Sequence, residues 1–306
     1  MDIISYSALI PLGHLWLWLR HSVALTIWDI IDPPENARLV STRWTFANKY
    51  NTDGNLIVQK ARLVAKGFTQ IPGVDFFETY ASVVRYESLR MNLMIATALD
   101  MEAWQVDYVA AYLNSHPQAI TYIKLPDGAK VKGKIGQLNK MLYRTMDGAY
   151  NWAKTLNKEM GELGYYRSKA DPVVWSRHAN GNIMITSTYT DDTMGISSSK
   201  EEAERVKDKL GWTYETKDLG DTNLVLGIRI DRDQKAGTIS ISQHVYMEHV
   251  LDRFGMADCN PQGTPLPTGI VLIRDMAPIT TEDCAFMANK PYCELLGCTM
   301  YTQIAT

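Results

Sequence analysis

Apolar positions alternate with period two in some stretches and recur every three or four residues in others, and that change of period divides the chain into elements. Asp32-Pro33-Pro34 marks a boundary. After it, residues 39–47 and 56–66 read as two strands around a turn at Asn51-Thr52-Asp53-Gly54. The second arm alternates Lys60, Arg62 and Val64 with Ala61, Leu63 and Ala65, so one face presents Lys60 and Arg62 while the other packs. Residues 87–100 carry Leu89, Leu93 and Ala96 at helical spacing. Residues 101–107 form an apolar-rich strand that ends on Asp107, and small and aromatic residues follow as far as Leu113. A short strand over 117–124 leads to a lysine-rich turn around Gly128 and Gly133.

In the second half, Trp152, Leu156, Met160 and Leu163 make one stripe of a helix that Gly164 terminates. Residues 171–176 pair with 183–188 across Ala179-Asn180-Gly181. Ser198 and Glu201 are spaced as a capping box for a helix carrying Ala203, Val206 and Leu210. A strand over 224–230 precedes a hairpin at Lys235-Ala236-Gly237, whose return arm is 238–242. The helix with Met247, Leu251 and Phe254 stops at Gly255. From Asn260 the chain reads as an extended linker with one more short helix over 292–304. The order strand with Asp107, helix, strand pair, helix, strand predicts a split βαβ sheet covered by helices on one face, an α+β fold.

The stretch Tyr189-Thr190-Asp191-Asp192 sits between two β-prone arms, so it reads as a hairpin with an acidic tip. Neighbouring side chains on a strand point to opposite faces, so Asp191 and Asp192 share a site only where the backbone turns sharply. There they repel each other unless a cation lies between them. The alternative is an ordinary polar turn in which Asp192 caps the bend and Asp191 is solvated. The predicted sheet brings Asp107 to the same edge. Three short carboxylates from two adjacent strands suit a pair of divalent cations about 3.5–4 Å apart, and Mg²⁺ favours such sites, completed by substrate phosphates and water.

Composition bounds the rest. At 306 residues, with 46% hydrophobic and 21% charged residues and no repeat, the chain is globular and can bury a full core. Its formal net charge of −3 does not itself point to nucleic acid. Local charge does: residues 43–70 hold five basic side chains against Asp53, and residues 124–144 hold six against Asp127. Either stretch alone is an ordinary solvated face; together they could neutralise phosphates if folding joins them. The four cysteines, Cys259, Cys284, Cys293 and Cys298, lack zinc spacing, which fits a reduced, intracellular (cytoplasmic) chain. The apolar start over 3–19 is interrupted by Pro11, Gly13 and His14, is short for a membrane span and has Asp2 where a signal peptide carries a basic n-region, so neither membrane insertion nor secretion is expected. The six histidines show no ligand spacing with carboxylates.

Seven blocks then carry a family likeness: Lys60-Ala61-Arg62-Leu63-Val64-Ala65-Lys66-Gly67-Phe68, Val83-Val84-Arg85, Val106-Asp107 through Ala111-Tyr112-Leu113-Asn114, Ser168-Lys169-Ala170-Asp171-Pro172, Tyr189-Thr190-Asp191-Asp192, Lys217-Asp218-Leu219-Gly220 and Leu226-Gly227-Ile228. In order and spacing, over roughly residues 36–268, the chain resembles copia-type retrotransposon reverse transcriptases.

The resemblance implies a right-hand polymerase with a ferredoxin-like split βαβ palm, a fingers β-hairpin and a partial helical thumb. It sets an N-terminal extension at 1–35, interleaved fingers and palm at 36–242, and the start of a thumb or connection at 243–306. It implies that Asp107, Asp191 and Asp192 bind two Mg²⁺ ions, with Mn²⁺ able to substitute. Arg62 and Lys66 would hold the triphosphate, Tyr112 would exclude a 2′-hydroxyl, Leu226-Gly227 would grip the primer end, and Lys217 would supply a proton to pyrophosphate. Expected partners are an RNA or DNA template with its primer, and deoxynucleoside triphosphates. The activity would be RNA-directed DNA synthesis. A truncated or co-opted fragment that keeps the fold and binds nucleic acid is the alternative, and an unrelated metal-dependent nuclease is a third. One departure bears on this choice: Asp147 replaces a glutamine usual in the family, and a carboxylate there repels a triphosphate unless it turns away.

Overall fold

The computed structural model describes residues 27–50, 55–264, 266–267, 269–288 and 290–305. The apolar start over 3–19 and the turn at 51–54 lie outside the described residues. By internal contacts the chain divides into two units after Asp221, compared with the expected division after residue 242.

In the first unit, β1 (Trp28–Ile31), β2 (Leu39–Val40), β6 (Tyr122–Ile123) and β7 (Ile135–Leu138) form a sheet in the order β1-β7-β6-β2. Residues 28–31, expected in an extension, are therefore a paired strand, with Trp28 opposite Leu138. The long hairpin is β3 (Thr42–Tyr50) with β4 (Leu56–Ala65). Its first arm was expected to begin at residue 39, but the chain changes partners at Ser41: Leu39 and Val40 run parallel to Tyr122 and Ile123, whereas Thr42 opens the pairing with Ala65. Leu63 and Ala65 join Ile27, Val40, Ile123, Leu138 and Leu142 in one apolar cluster that ties hairpin to sheet.

The central sheet has the order β12-β5-β11-β10-β9-β8, built from β5 (Glu102–Tyr108), β8 (Tyr166–Arg167), β9 (Val174–Ala179), β10 (Asn182–Tyr189), β11 (Asp192–Ser197) and β12 (Thr216–Asp221). The strand carrying Asp107 thus lies beside the acidic hairpin, as the element order predicted. Helices α1 (Tyr86–Ala98), α2 (Gly148–Glu162) and α3 (Lys200–Thr213) connect the strands. Trp152, Leu156 and Met160 are buried along α2, and each such side chain removed from water stabilises by roughly 1.5–3 kcal/mol. Every residue from Thr193 to Ser197 is buried. Since neighbours on a strand face opposite ways, the sheet is covered on both sides at β11, not on one face as expected. The α3 cap also differs. Ser199 is the N-cap, its hydroxyl accepting from Glu202 N at 3.3 Å, because the Ser198 hydroxyl is taken by Ile183 N at 2.9 Å.

The second unit holds a meander, β13 (Leu224–Val225), β14 (Ile228–Asp233) and β15 (Thr238–Ser242), followed by α4 (His244–Arg253), α5 (Thr281–Ala288) and α6 (Tyr292–Ala305). The single strand expected over 224–230 is broken at Leu226 and Gly227, whose φ values of 51° and 76° make the tight reversal between β13 and β14. Tyr301 on α6 donates its hydroxyl to the Leu226 carbonyl at 2.5 Å and meets Tyr246 of α4 edge-on at 4.7 Å. An ion pair between Arg253 and Glu294 joins the same two helices. No helix among the described residues is long and apolar enough to cross a membrane.

Candidate active site

The acidic tip is a two-residue reversal: Tyr189 pairs with Asp192, and Thr190 takes a left-handed φ of 58°. Below it, the buried Thr188 and Thr193 hydroxyls are bonded at 2.6 Å. Trp152 of α2 donates its indole N–H to the Thr190 carbonyl at 2.5 Å, so the turn is fixed from the helix as well as from its own strands.

Asp107 on β5 lies directly opposite Asp192 on β11. Tyr108 N donates to Asp191 O at 2.8 Å, which makes Asp107–Asp192 a non-hydrogen-bonded pair, the class in which facing Cα atoms stand about 4.5 Å apart and side chains are closer. The two carboxylates therefore share a face, with Asp191 next to them in the reversal. All three are half-buried. Asp192 feels this crowding: burial, then Asp191, then Asp107 raise its pKa above the usual carboxylate value, against a lowering hydrogen bond from Gln105. On the other side of β5, Lys217 of β12 faces Asp107 and is exposed. Lys217, Asp107, Asp192 and Tyr189 thus form one row across four strands.

A second group adjoins the first. The Arg62 guanidinium lies over the Tyr143 ring, 5.7 Å from its centroid, and Tyr143 packs against Tyr112 at 4.8 Å. Strand β4 is bridged to this segment by Ala65 N donating to Tyr143 O at 2.9 Å. Burial first and Asp191 second push the Tyr143 phenol up to about 12, with Arg62 opposing and Asp107 adding to the rise. Tyr112 is likewise raised, by burial, Asp191 and Tyr189. Arg62, Tyr112 and the carboxylates are consequently one electrostatic neighbourhood, with Tyr143 at its centre. Lys66 stands just past β4, its backbone N–H bonded to Ser41 O at 2.8 Å.

Asp147 is buried. It is 1% exposed, and its Oδ2 accepts from Asn151 Nδ2 at 2.8 Å one turn along α2. Burial raises its pKa, which further reduces the charge it could set against an anionic ligand.

Residues 25–268 match the family Reverse transcriptase (RNA-dependent DNA polymerase). The chain belongs to this family. It is similar to the retrovirus-related Pol polyprotein from transposon TNT 1-94 of Nicotiana tabacum, at 33% identity over 91% of this chain and 21% of that protein. The corresponding polyprotein from transposon RE1 of Arabidopsis thaliana is 29% identical over 78% of this chain and 16% of that one. The chain thus spans between a sixth and about a fifth of the length of these curated relatives. A solved structure of a foamy viral protease-reverse transcriptase in complex with double-stranded DNA aligns over 94% of this chain and 39% of that one, at 10% identity and a TM-score of 0.42.

Within this reverse transcriptase chain the donor chemistry suits a hard divalent cation: three short carboxylates, two of them facing each other across a ladder. Among the described residues, however, no three His, Cys, Asp or Glu side chains close tightly enough to hold an ion by themselves. A site with few carboxylates that is completed by phosphate oxygens and water has that open form. Leu226 and Gly227 belong to the second unit, in the reversal already described. The sequence pattern gives no site role to Tyr143 or Gln105, and it places Trp152 only on the packing stripe of its helix. Only the contacts with Arg62 and Tyr112 give Tyr143 its place, and only the strand register shows that Gln105 is the diagonal neighbour of Asp192.

Proposed function

We propose that this chain is the RNA-directed DNA polymerase part of a retroelement Pol polyprotein and adds deoxynucleotides to a primer 3′-hydroxyl. The observation that carries the reading is the Asp107–Asp192 cross-strand pair with Asp191 in the adjoining reversal. In this reading the central sheet with α2 and α3 is the palm, the β3–β4 hairpin belongs to the fingers, and the helices after Gln243 begin a thumb. Asp107, Asp191 and Asp192 would hold two Mg²⁺ ions, or Mn²⁺ in their place. Those cations supply activation of the primer hydroxyl and stabilisation of the leaving pyrophosphate.

The protein's own groups do the positioning. Arg62, seated on Tyr143, presents a planar cation to the triphosphate, with Lys66 as a second positive charge. Tyr112, packed against Tyr143, would set the wall against which a ribose 2′-hydroxyl clashes. Lys217, facing Asp107, would give a proton to the departing pyrophosphate. Leu226 and Gly227 would contact the primer end. The burial of Asp147 supports synthesis over the reading of an impaired fragment, because a buried, Asn151-bonded carboxylate with a raised pKa sets less charge against a triphosphate.

Extension of a primed RNA template tests this. The purified chain should extend the primer with deoxynucleotides only when Mg²⁺ or Mn²⁺ is present, and Asp191→Asn should abolish extension while primer–template binding persists. Equal extension by the Asn variant would overturn the site, and degradation of the template strand in place of extension would indicate a nuclease.

A further inference from the structure

Arg62 and the ring it lies on come from distant parts of the chain, so the seat of one on the other depends on what joins β4 to the segment before α2. One join is at Tyr143 itself. Its carbonyl accepts from Ala65 N at 2.9 Å, and Val64 is bridged in parallel to the same residue. Past Tyr143 the segment reverses: Arg144 takes a left-handed φ of 66°, and its carbonyl lies so close to Gly67 that an added Cβ there would overlap it.

Gln70 makes the second join. After β4 the chain makes one tight turn over Gly67–Thr69, closed by Gln70 N donating to Gly67 O at 2.8 Å. The Gln70 side chain is buried at 7% exposure, and its Oε1 accepts from Met146 N at 2.8 Å. A buried amide is retained where it has a donor to meet. Tyr143 and Met146 are thus held on either side of the Arg144 reversal, by Ala65 and by Gln70. A segment tied at one hydrogen bond can pivot about it; a second tie removes the pivot.

We infer that Gln70 is a positioning residue for the incoming triphosphate: by holding Met146 it stops residues 143–147 from pivoting about the Ala65–Tyr143 bond and keeps the Tyr143 ring against the Arg62 guanidinium. Gln70 touches no reacting atom in this assignment and acts only through Tyr143. The joint belongs to the fold, and its use in seating a triphosphate rests on the proposed function.

Two measurements on the full chain test this. The first is amide hydrogen exchange without metal or nucleic acid. Gln70→Met keeps the side-chain length, loses the strong acceptor and leaves the Ala65–Tyr143 bond chemically intact. The Ala65 amide should nevertheless exchange about fivefold faster, the size of one lost hydrogen bond, while the Val106 amide, on a strand paired on both sides, keeps its rate. The second is primer extension. Gln70→Met should raise the KM for deoxynucleotide about fivefold with kcat within about twofold of the parent, and Gly67→Ala, which pushes on the same joint from the other side, should split the two constants in the same way. In a Tyr143→Ala background, with no ring left to hold in place, Gln70→Met should add less than about twofold to KM. An unchanged Ala65 rate would overturn the assignment, as would a KM increase of full size in the Tyr143→Ala background. A parent chain that extends no primer would count against the proposed function alone, and exchange at Ala65 would then decide whether Gln70 holds the joint.

Discussion

Trp152 reaches from the second turn of α2 to the carbonyl of Thr190, the residue that reverses the chain between the two arms of the acidic hairpin. The ring is 2% exposed and meets Tyr108 and Tyr214 edge-on at 5.1 and 5.5 Å. Helix packing and the position of Asp191 are thereby one structural event.

Trp152→Phe keeps an aromatic ring between the two tyrosines and removes the donor. The unmatched Thr190 carbonyl should cost about 1–2 kcal/mol of stability, measured by urea denaturation. If the indole also positions Asp191, primer extension well below the melting range should fall by more than the folded fraction does. Extension that merely tracks the folded fraction would show that the bond serves stability alone.

Asp192 gives a prediction with a definite sign. Its folded pKa is raised by burial and by the charges of Asp191 and Asp107, so the folded state holds the proton more tightly than the unfolded chain does. Without metal, the contribution of this group to stability is therefore greatest at acid pH and is lost as pH rises through the carboxylate range and above it. Asp192→Asn should stabilise the EDTA-treated protein at pH 7 and have no such effect near pH 4, as followed by denaturation at a series of pH values. Adding Mg²⁺ with primer–template should stabilise the parent and not the variant. A parent stability that rises with pH across this range, and a variant that follows it, would contradict the crowding.

Much of this was legible in the chain and some was not, for physical reasons. Period-two alternation and a turn signal are local, so the Asp191-Asp192 hairpin and the long basic hairpin were found where they occur. The strand ending on Asp107 was also local, and only its pairing with β11 needed the three-dimensional register. What failed was partner choice. Whether Leu39 continues into Thr42 depends on Tyr122, more than eighty residues away, and whether Ser198 or Ser199 caps α3 depends on the Ile183 amide competing for the Ser198 hydroxyl. Tyr143 was missed for the same reason, since its meaning comes from Arg62 and Tyr112 and not from its neighbours in sequence.

Gly195 is the cross-strand partner of Trp104, and an added Cβ would run into the indole ring. Because Trp104 is 4% exposed, it has little room to yield. Gly195→Ala should destabilise by about 1–3 kcal/mol, the usual cost of overpacking, seen as a lower denaturation midpoint with an unchanged slope. A neutral outcome would mean that the indole swings aside freely.

Arg62→Lys retains the charge and loses the planar group that lies on Tyr143. In primer extension the KM for deoxynucleotide should rise about tenfold with kcat less affected, because a flexible ammonium no longer rests in one place over the ring. Tyr143→Ala should produce the same KM increase through the same loss of seating. An unchanged KM in both would remove Arg62 from the triphosphate and leave it a solvated hairpin charge.

Leu226 holds a φ of 51° in the reversal before Gly227, a region where an L-residue with a branched side chain is strained by roughly 1 kcal/mol. The neighbouring Gly227 relieves its own positive φ at no steric cost, and Leu226 does not. Leu226→Gly should accordingly leave the turn intact, since the Tyr301 bond is made to the backbone carbonyl, and should stabilise the protein by up to about 1 kcal/mol less the backbone entropy that glycine loses on folding. A strained residue that persists beside an unstrained one is explained if its side chain is needed at that point. If Leu226 touches the primer end, the same variant should bind primer–template less tightly, with the loss appearing in the dissociation rate. A variant that is both more stable and equally tight in binding would show that the leucine has no share in gripping the primer, and the backbone of Gly227 would then have to make that contact alone.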